Sequence, residues 1–402
     1  MDFEQNNDHS AIEMLLSLYI KGDVGPASYF RLLKYFGSAD SVYQASGTEL
    51  KAVCPHLTQK ALKNIMAGPD MQAVDSQLTR CKEMGIRLVS IFSSEYPRAL
   101  ASISSPPPFL YIKGRWPLPA HSRAIGVVGT RKPTDYGKNS GKEIVSGLVK
   151  EGYVIVSGLA KGIDTVAHQT TLDVGGHTVA VLGCGLDRVY PACNKKLFTE
   201  IADTGTLVSE FSLGEAPALK NFPLRNRIIS GMSLGTLVVE AGLKSGALIT
   251  AQYARRQERA LFAVPGSVFN RSADGNNRLL QNGARLVMHP QDISHYLKSN
   301  KGIAILSGST FKANGKKHNL EVMGQKTIEN KPVKKTNKHK NVIKLLPETE
   351  KKIYQQLGEA LSLEKLSQIS GSAPHVLISI LLNLEMKGLI TRQPGSLYCQ
   401  KM

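Results

Sequence analysis

Short runs of apolar residues recur through the middle of the chain, and stretches with helical periodicity separate them. Six runs are predicted to be strands: Ala124–Val128, Tyr153–Val156, Thr178–Leu182, Thr206–Glu210, Thr236–Glu240 and Leu261–Val264. Most of them are continuously apolar, which is typical of strands covered by helices on both faces. Because strands and helices alternate, the pattern predicts a doubly wound α/β domain with a parallel sheet over residues 71–298. Residues 71–119 are expected to lead into that sheet.

The segments on either side are predicted to be separate domains. Residues 1–70 contain several helical stretches and no strand pattern, so they predict an all-helical domain. Their Lys21–Pro26 turn fits either a helix-hairpin-helix module, which contacts the DNA backbone, or an ordinary helix connector. Residues 346–402 predict three helices and a β-hairpin, which together make a winged helix. Its third helix contains only His375 and Lys387 as basic residues, so a protein contact is at least as good an interpretation as DNA reading.

Residues 299–345 differ from the rest of the chain in composition. They hold eleven lysines and two glutamates, which gives +9, half of the formal net charge of +18. With one aromatic residue and many small polar ones, this stretch is predicted to be a disordered linker. It is interpreted as a solubilising tether whose lysines can also add salt-sensitive affinity for phosphates.

The overall charge and the cysteines limit the class of protein. Fifty basic residues against 32 acidic ones favour polyanionic partners. The five cysteines are odd in number and show no CxxC spacing, which argues against both a disulfide framework and a zinc ribbon. The sequence has no signal-peptide pattern and no apolar run of the roughly 18 residues that a membrane helix needs. A cytoplasmic protein without metal, cofactor or membrane association is expected.

Basic and small residues follow the predicted strands, and in an open parallel sheet these loops share one edge, where ligands bind. The free amides and the dipole at a helix N-terminus that follows a glycine attract anions. Small residues let backbone amides approach a ligand. Phe222 adds a stacking face, and a basic groove with an aromatic residue suits single-stranded nucleic acid. The candidate DNA- or phosphate-binding residues are Gly129, Arg131, Lys132, Ser157, Gly158, Lys161, Lys195, Lys220, Phe222, Arg225, Asn226 and Arg227.

Arg225, Asn226 and Arg227 fall in the first turn of a predicted helix, within the sequence FPLRNRIISG. Cations there oppose the helix dipole unless an anion or an acid neutralises them. A bound phosphate, Glu210 or Glu240 would do so. We assign Arg225 to phosphate, and leave Arg227 open between phosphate and a buried Arg–Glu pair.

No arrangement of residues indicates catalysis. Asp164 is interpreted as a helix cap, Cys184 as a buried thiol, and His168 and His177 as structural residues. The chain has neither the G-x-G-x-x-G spacing nor a Walker lysine motif, which disfavours dinucleotide binding and ATP hydrolysis.

Seven motifs, in order along the chain, resemble those of the DNA-processing protein DprA (Smf) family. They are Val127–Arg131, Ser157–Asp164, Phe222–Gly231, Val239–Gly242, Ser245–Thr250, Val264–Gly266 and Gly275–Leu280 with Gly283-Ala284. The resemblance implies an extended Rossmann-like domain, flanked by the helical N-terminal domain and the C-terminal winged helix.

The resemblance also implies a function. Members of the family bind single-stranded DNA, and double strands are expected to bind more weakly. They form homodimers, protect incoming DNA in natural transformation, relieve the block by single-stranded-DNA-binding protein and load the RecA recombinase. The family's anion pocket corresponds to the motif positions Arg131, Ser157, Gly158, Lys161, Arg225 and Asn226. This chain departs from many members at Ala192, where they have lysine, and Lys195 is expected to compensate.

An enzyme is the alternative hypothesis. Gly235–Glu240 is similar to part of the Gly-Thr-to-Glu motif of phosphoribohydrolases, which cleave nucleotides on a Rossmann-like sheet. Ser233 and Leu234 stand where that motif needs a Pro-Gly-Gly loop. We therefore expect a non-catalytic recombination mediator.

Overall fold

A computed structural model of the chain describes residues 9–116 and 123–299, and in the C-terminal part 348–357, 361–370, 377, 380, 381, 384, 389–393 and 397–400. The chain divides into two compact units, Met1–Gly315 and Lys316–Met402. The predicted linker, 299–345, lies outside the described residues except for Ser299.

The first unit begins with five helices that pack around their own apolar core. They are α1 (His9–Ile20), α2 (Pro26–Phe36), α3 (Ala39–Gln44), α4 (Gly47–Val53) and α5 (Gln59–Met66). Hydroxyl side chains start three of them, because Ser38, Ser46 and Thr58 each accept a hydrogen bond from a backbone amide three residues later. Tyr29 and Leu32 are fully buried in the core of this helical region.

A nine-stranded sheet follows, and helices cover both of its faces. After α6 (Met71–Glu83), its elements are β1 (Ile86–Ser90), α7 (Arg98–Ala101), β2 (Phe109–Gly114), β3 (Ala124–Val128), α8 (Asp135–Lys150), β4 (Val154–Ser157), α9 (Ile163–Asp173), β5 (Thr178–Leu182), α10 (Lys195–Thr204), β6 (Thr206–Ser209), α11 (Asn221–Gly231), β7 (Gly235–Val238), α12 (Ala247–Arg256), β8 (Ala260–Ala263), α13 (Asp274–Gln281), β9 (Arg285–Leu286) and α14 (Pro290–Ser299). The strand order is β1-β2-β6-β5-β4-β3-β7-β8-β9.

The seven strands from β6 to β9 in this order are parallel. β2 pairs with β6 in the antiparallel direction, and β1 pairs with β2 in the same way. Strands β3 to β6 are added in one direction, and β7 starts again on the other side of β3. This reversal opens a crevice at the carboxyl ends of β3 and β7, where open α/β sheets bind ligands. The fold is therefore the extended Rossmann-like sheet that the sequence predicts.

Several elements of this unit were not predicted individually. α4, α6, β2 and β9 have no separate signal in the hydrophobic pattern. β2 extends the sheet beyond β6. Its sequence, FLYIKG, stands in the segment expected to lead into the sheet, where the hydrophobic pattern predicts a strand only at residues 87–92. Its residues from Phe109 to Ile112 are all buried, because Phe109 packs with residues of α1 and α6 while Leu110 and Ile112 belong to the cluster that contains residues of α11. The formation of β2 therefore depends on tertiary packing rather than on a local sequence pattern.

The second unit contains the described parts of the winged helix. They include α15 (Glu348–Gln356), β10 (Leu361–Ser362), α16 (Leu363–Ser370), β11 (Ile390–Gln393) and β12 (Leu397–Gln400), and the three strands form an antiparallel sheet in the order β10-β12-β11. Leu357, Leu366 and Leu381 are buried in its core. His375 and Lys387, the basic residues of the third predicted helix, lie outside the described residues.

Two absences concern only the residues that the structure describes. None of their helices is both long and apolar enough to cross a membrane. Among the same residues, no three His, Cys, Asp or Glu side chains come together as a metal site would require. Among the described cysteines, Cys54, Cys81, Cys184 and Cys193 form no disulfide.

Candidate nucleic-acid interface

The loops at the carboxyl edge of the sheet are tied to one another by buried hydrogen bonds. Thr130 connects three of them, since its amide donates to the Glu240 carbonyl at 2.6 Å and its carbonyl accepts from the Ile163 amide at 3.1 Å. The Glu240 carboxylate accepts from the amide and hydroxyl of Thr134, at 2.8 and 2.9 Å. Thr134 is the N-cap of α8, so this carboxylate stabilises the positive end of that helix. Glu240 is therefore a structural residue of the edge.

The β4–α9 loop is shaped by two buried side chains of α9. Asp164 accepts hydrogen bonds from the amides of Gly158 and Ala160, at 3.1 and 3.4 Å. His168 Nε2 accepts a hydrogen bond from the amide of Leu159 at 3.2 Å. Leu159 has a left-handed φ of 55°. Burial raises the pKa of Asp164, and the charge of Arg225 counteracts that rise. Two of the amides expected to face a ligand are thus already bonded within the protein.

Arg225 is buried beneath this loop. Its Nη1 donates to the carbonyl of Gly158 at 2.6 Å and to the carbonyl of Val181, and its Nε donates to Asn226 at 3.1 Å. Burial lowers its pKa to about 10, so the guanidinium is charged at neutral pH. A Cβ at Gly158 would lie 2.5 Å from Nη1, which explains why glycine stands there. Gly158 thus leaves room for Arg225, while the Ser157 hydroxyl donates to the Val127 carbonyl at 2.6 Å.

Arg227 points away from the cleft. Its guanidinium donates to both carboxylate oxygens of Glu210, at 2.8 and 2.6 Å, and both side chains are more than nine-tenths buried. This is the Arg–Glu pair that the sequence left open. Since Arg227 lines neither cavity at the carboxyl edge, we do not include it among the proposed phosphate contacts.

Two adjoining cavities open at this edge. The larger is a cleft of about 690 Å³, and the smaller has a volume of about 230 Å³. Arg131, Ala160, Phe222 and Arg225 line both and form the boundary between them. The charged residues of the larger cleft are Arg131, Lys132, Arg225, Lys244 and Arg271 against Asp164, which sums to +4. The smaller cavity is lined by Arg131, Lys161 and Arg225 and by no acidic residue that the structure describes.

A wider hollow of about 960 Å³ lies at the other end of the sheet, beside β8 and β9. It is larger, but its charges are mixed. Arg255, Arg259 and Arg285 stand against Glu258 and Asp292, which sums to +1, and neither β3 nor β7 contributes a residue. The position at the sheet reversal and the stronger positive charge both favour the two adjoining cavities as the functional site.

An aromatic pair forms one wall of the smaller cavity. The rings of Tyr190 and Phe222 are stacked, with centroids 5.2 Å apart and an interplanar angle of 26°. The guanidinium carbon of Arg131 lies 5.9 Å from the centroid of the Phe222 ring. An aromatic face beside exposed cations can stack a nucleobase while the cations bind the adjacent phosphates.

Comparison with known proteins decides the family. The sequence model for DNA recombination-mediator protein A matches residues 87–298, which is the whole sheet, and the DprA winged helix domain matches residues 343–396. The chain belongs to the DprA (Smf) family. It is 35% identical to Protein Smf of Synechocystis sp. over 392 residues, which cover 94% of this chain and 96% of that protein.

Two other members of the DprA family are similar over shorter spans. DNA processing protein DprA of Bacillus subtilis is 39% identical over 264 residues, which cover 65% of this chain and 88% of that protein. The X-ray structure of DprA from Streptococcus pneumoniae superposes with a TM-score of 0.62 at 34% identity, over 71% of this chain and 96% of that one. The fold and the family agree with the prediction from the sequence motifs.

The candidate residues from the sequence fall into three groups in the structure. Gly129, Arg131, Lys132, Gly158, Lys161, Phe222, Arg225 and Asn226 line one or both cavities. Lys195 and Lys220 are exposed at the starts of α10 and α11, on the same edge but outside both cavity linings. Ser157 and Arg227 are buried and bonded to the protein itself.

Three lining residues were missed by the sequence reasoning. Lys244 and Arg271 follow β7 and β8, so their position after parallel strands was the signal that could have found them. Tyr190 is far from Phe222 in sequence, and only the path of the loop after β5 brings the two rings together.

Proposed function

We propose that this protein binds single-stranded DNA in the two adjoining cavities and acts as a recombination mediator that loads a RecA-type recombinase during natural transformation. The meeting of Arg131, Arg225 and the Phe222 ring at the boundary of the cavities carries the proposal. Phosphates would contact Arg131, Lys132 and Lys161, and the buried charge of Arg225 would support them from below. Lys195 and Lys220 would extend the positive surface at the rim. Gly129 and Asn226 would shape the floor.

Single strands are favoured over duplexes by the chemistry of this wall. Stacking on Phe222 and Tyr190 requires a base whose face is free, and a duplex keeps its faces stacked inside. We therefore expect double-stranded DNA to bind more weakly, through charge alone.

The buried carboxylate of Glu240 supports the mediator over the phosphoribohydrolase alternative. Both of its oxygens accept hydrogen bonds from Thr134, so it is not poised to act on a bound nucleotide. Incubation with nucleoside monophosphates tests the alternative, and release of free base would replace the mediator hypothesis.

Strand binding is tested best with Arg131→Ala, because this side chain is exposed and its loss leaves no buried group unpaired. Loss of a charged hydrogen bond to phosphate should weaken binding of a labelled oligothymidine about tenfold. It should also reduce the slope of log affinity against log salt by about 0.7. Lys150→Ala is the matched control, since Lys150 is an exposed cation at the other end of α8. Equal affinities of Arg131→Ala and Lys150→Ala would refute the site.

Loading of a recombinase and homodimer formation are tested separately. Full-length protein should speed the assembly of RecA on DNA coated with single-stranded-DNA-binding protein, and Arg131→Ala should not. Sedimentation of the full chain should give twice the monomer mass. A protein that binds the strand yet never speeds RecA assembly would be a protective binder only.

A further inference from the structure

The loop between β8 and α13 holds two apolar residues in solvent at the tip of a turn. The amide of Asn270 donates to the carbonyl of Ser267 at 3.0 Å, which closes the turn, and the Phe269 amide donates to the Ser267 hydroxyl at 3.2 Å. Val268 and Phe269 occupy the central positions and are 78% and 95% exposed. Gly, Pro, Asn, Asp and Ser usually fill such positions. The turn itself therefore gives no reason for the two apolar residues.

The exposure of this tip is built into the loop by hydrogen bonds on both sides of it. The amide of Gly266 donates to Asn277 at 3.2 Å, and the Asn277 side chain donates back to the Gly266 carbonyl at 3.0 Å. After the turn, the amide of Ser272 donates to Asn270 at 3.0 Å. The hydroxyl of Tyr136, in the first turn of α8, donates to the carbonyl of Pro265 at 2.8 Å. A ring presented by a fixed loop loses little conformational freedom on binding.

The tip continues the positively charged cleft. Arg271 and Ser272, directly after the turn, line the larger cavity, and so does Lys132, four residues before Tyr136. Tyr136 is 52% exposed, so two aromatic surfaces stand beside two cations. Asp135 also lies here, and it is paired with Lys138 at 3.0 Å. Aromatic faces alternating with cations fit a single strand, because every nucleobase has a face to stack.

We propose that the Val268–Phe269 turn is a second stacking subsite, for bases of a single strand that leaves the cleft past Arg271. It rests on the proposed function, because the strand must first occupy the cleft. Phe269 would stack on a base, and Arg271 and Lys132 would contact the phosphates between the two subsites. The subsite should matter only for strands long enough to reach beyond the cleft.

Binding of two oligothymidines to the full chain tests this, one of about 5 nucleotides and one of about 20, a range that single-strand grooves span. Phe269→Ser should weaken binding of the long strand about fivefold or more and leave the short strand unchanged. Met66→Ser is the control, since Met66 is 60% exposed on α5, in the helical region. In Phe269→Trp, long-strand affinity should be kept. Its tryptophan emission should be quenched by the long strand more than that of the wild type, whose one tryptophan is Trp116.

The possible outcomes distinguish failure of this subsite from failure of the proposed DNA-binding function. If wild type binds both strands and Phe269→Ser binds each with the affinity of wild type, the second subsite is refuted. Binding in the cleft is then still supported. An equal loss for both strands would place Phe269 in the cleft and also refute a second subsite. Unchanged strand affinity with slower RecA assembly would mean that the tip contacts protein instead. If wild type binds neither strand, the proposed function itself fails.

Discussion

Glu210 and Arg227 form a two-point ion pair at the end of β6, with both N–O distances below 3 Å and almost no exposure to solvent. The Tyr19 hydroxyl of α1 donates to the Glu210 carbonyl at 3.3 Å, so the same residue joins the helical region to the sheet. Arg227 lies two residues along α11 from Arg225, which has no side-chain carboxylate as a hydrogen-bond partner among the described residues. About half a helical turn thus separates a structural arginine from a candidate binding arginine.

Removing one member of this pair should destabilise the protein strongly. Glu210→Ala leaves the Arg227 charge buried without a partner, which costs about 3–5 kcal/mol of unfolding free energy. Urea denaturation measures the change. Arg87 and Glu95 provide the control, because their 2.9 Å ion pair is about half exposed on both sides. Glu95→Ala should cost less than about 1 kcal/mol. Equal losses in the two variants would show that burial does not govern the Glu210 pair.

A methyl group at Gly158 should disturb DNA binding through Arg225. The added carbon would collide with the guanidinium, so Gly158→Ala must displace Arg225 from the carbonyls of Gly158 and Val181. We expect weaker strand affinity, by about tenfold, since a charged hydrogen-bonding group leaves its position. Gly25→Ala is the control, because Gly25 has a φ of −65° and open space around its Cα. Wild-type affinity in Gly158→Ala would mean that the position of Arg225 is unimportant.

Phe222 should contribute through its ring rather than through its size. Phe222→Leu keeps an apolar side chain but removes the aromatic ring from the wall on which a base would stack, so affinity for oligothymidine should fall about fivefold or more. Phe222→Tyr keeps the ring and should bind as wild type does. Fluorescence anisotropy at fixed salt measures both. A loss shared by the two variants would point to packing of the loop instead of stacking on a base.

Stability should fall as the pH drops below about 6.5, and His168 should be one cause. Burial lowers the pKa of His168 from 6.5 to about 3, so the folded protein keeps it neutral while the unfolded chain takes up a proton. The neutral ring accepts from Leu159 and contacts Thr178, and protonation of Nε2 would remove the first bond. The loss of stability from this site should steepen below pH 6.5 and approach about 1.4 kcal/mol per pH unit near pH 5.

Urea denaturation across that pH range provides the measurement. His168→Gln should be less stable at pH 7, and its stability should depend less on pH. His177, whose pKa burial lowers to about 4, remains and accounts for part of the slope. An unchanged slope in His168→Gln would exclude His168 as a cause.

The sequence predicted the sheet domain well because its strands are continuously apolar and its loops carry specific motifs. The bounds of β3 and β5 agree with the predicted runs, and the family was identified from motifs in the loops and the adjoining helix starts. β2 escaped prediction because its place depends on pairing with β6, which follows it by more than ninety residues. β9 is only two residues long, too short for any periodicity.

For the candidate site, the sequence could indicate the sheet edge at which the residues lie. It could not indicate the direction in which each side chain points. Arg225 and Arg227 are two positions apart on α11, and their different environments depend on Glu210 and Asp164, which come from other elements. The stacking of Tyr190 on Phe222 and the role of Asp164 as an acceptor for two amides are likewise tertiary facts.

Asp164 has a consequence for the speed of recognition. By holding the amides of Gly158 and Ala160, it gives the β4–α9 loop its shape before any ligand arrives. No segment of that loop has to fold around an incoming strand, so the ordering needed for binding falls on the DNA. Association should then follow single-exponential kinetics whose rate rises linearly with strand concentration, without the plateau that a slow loop closure would impose.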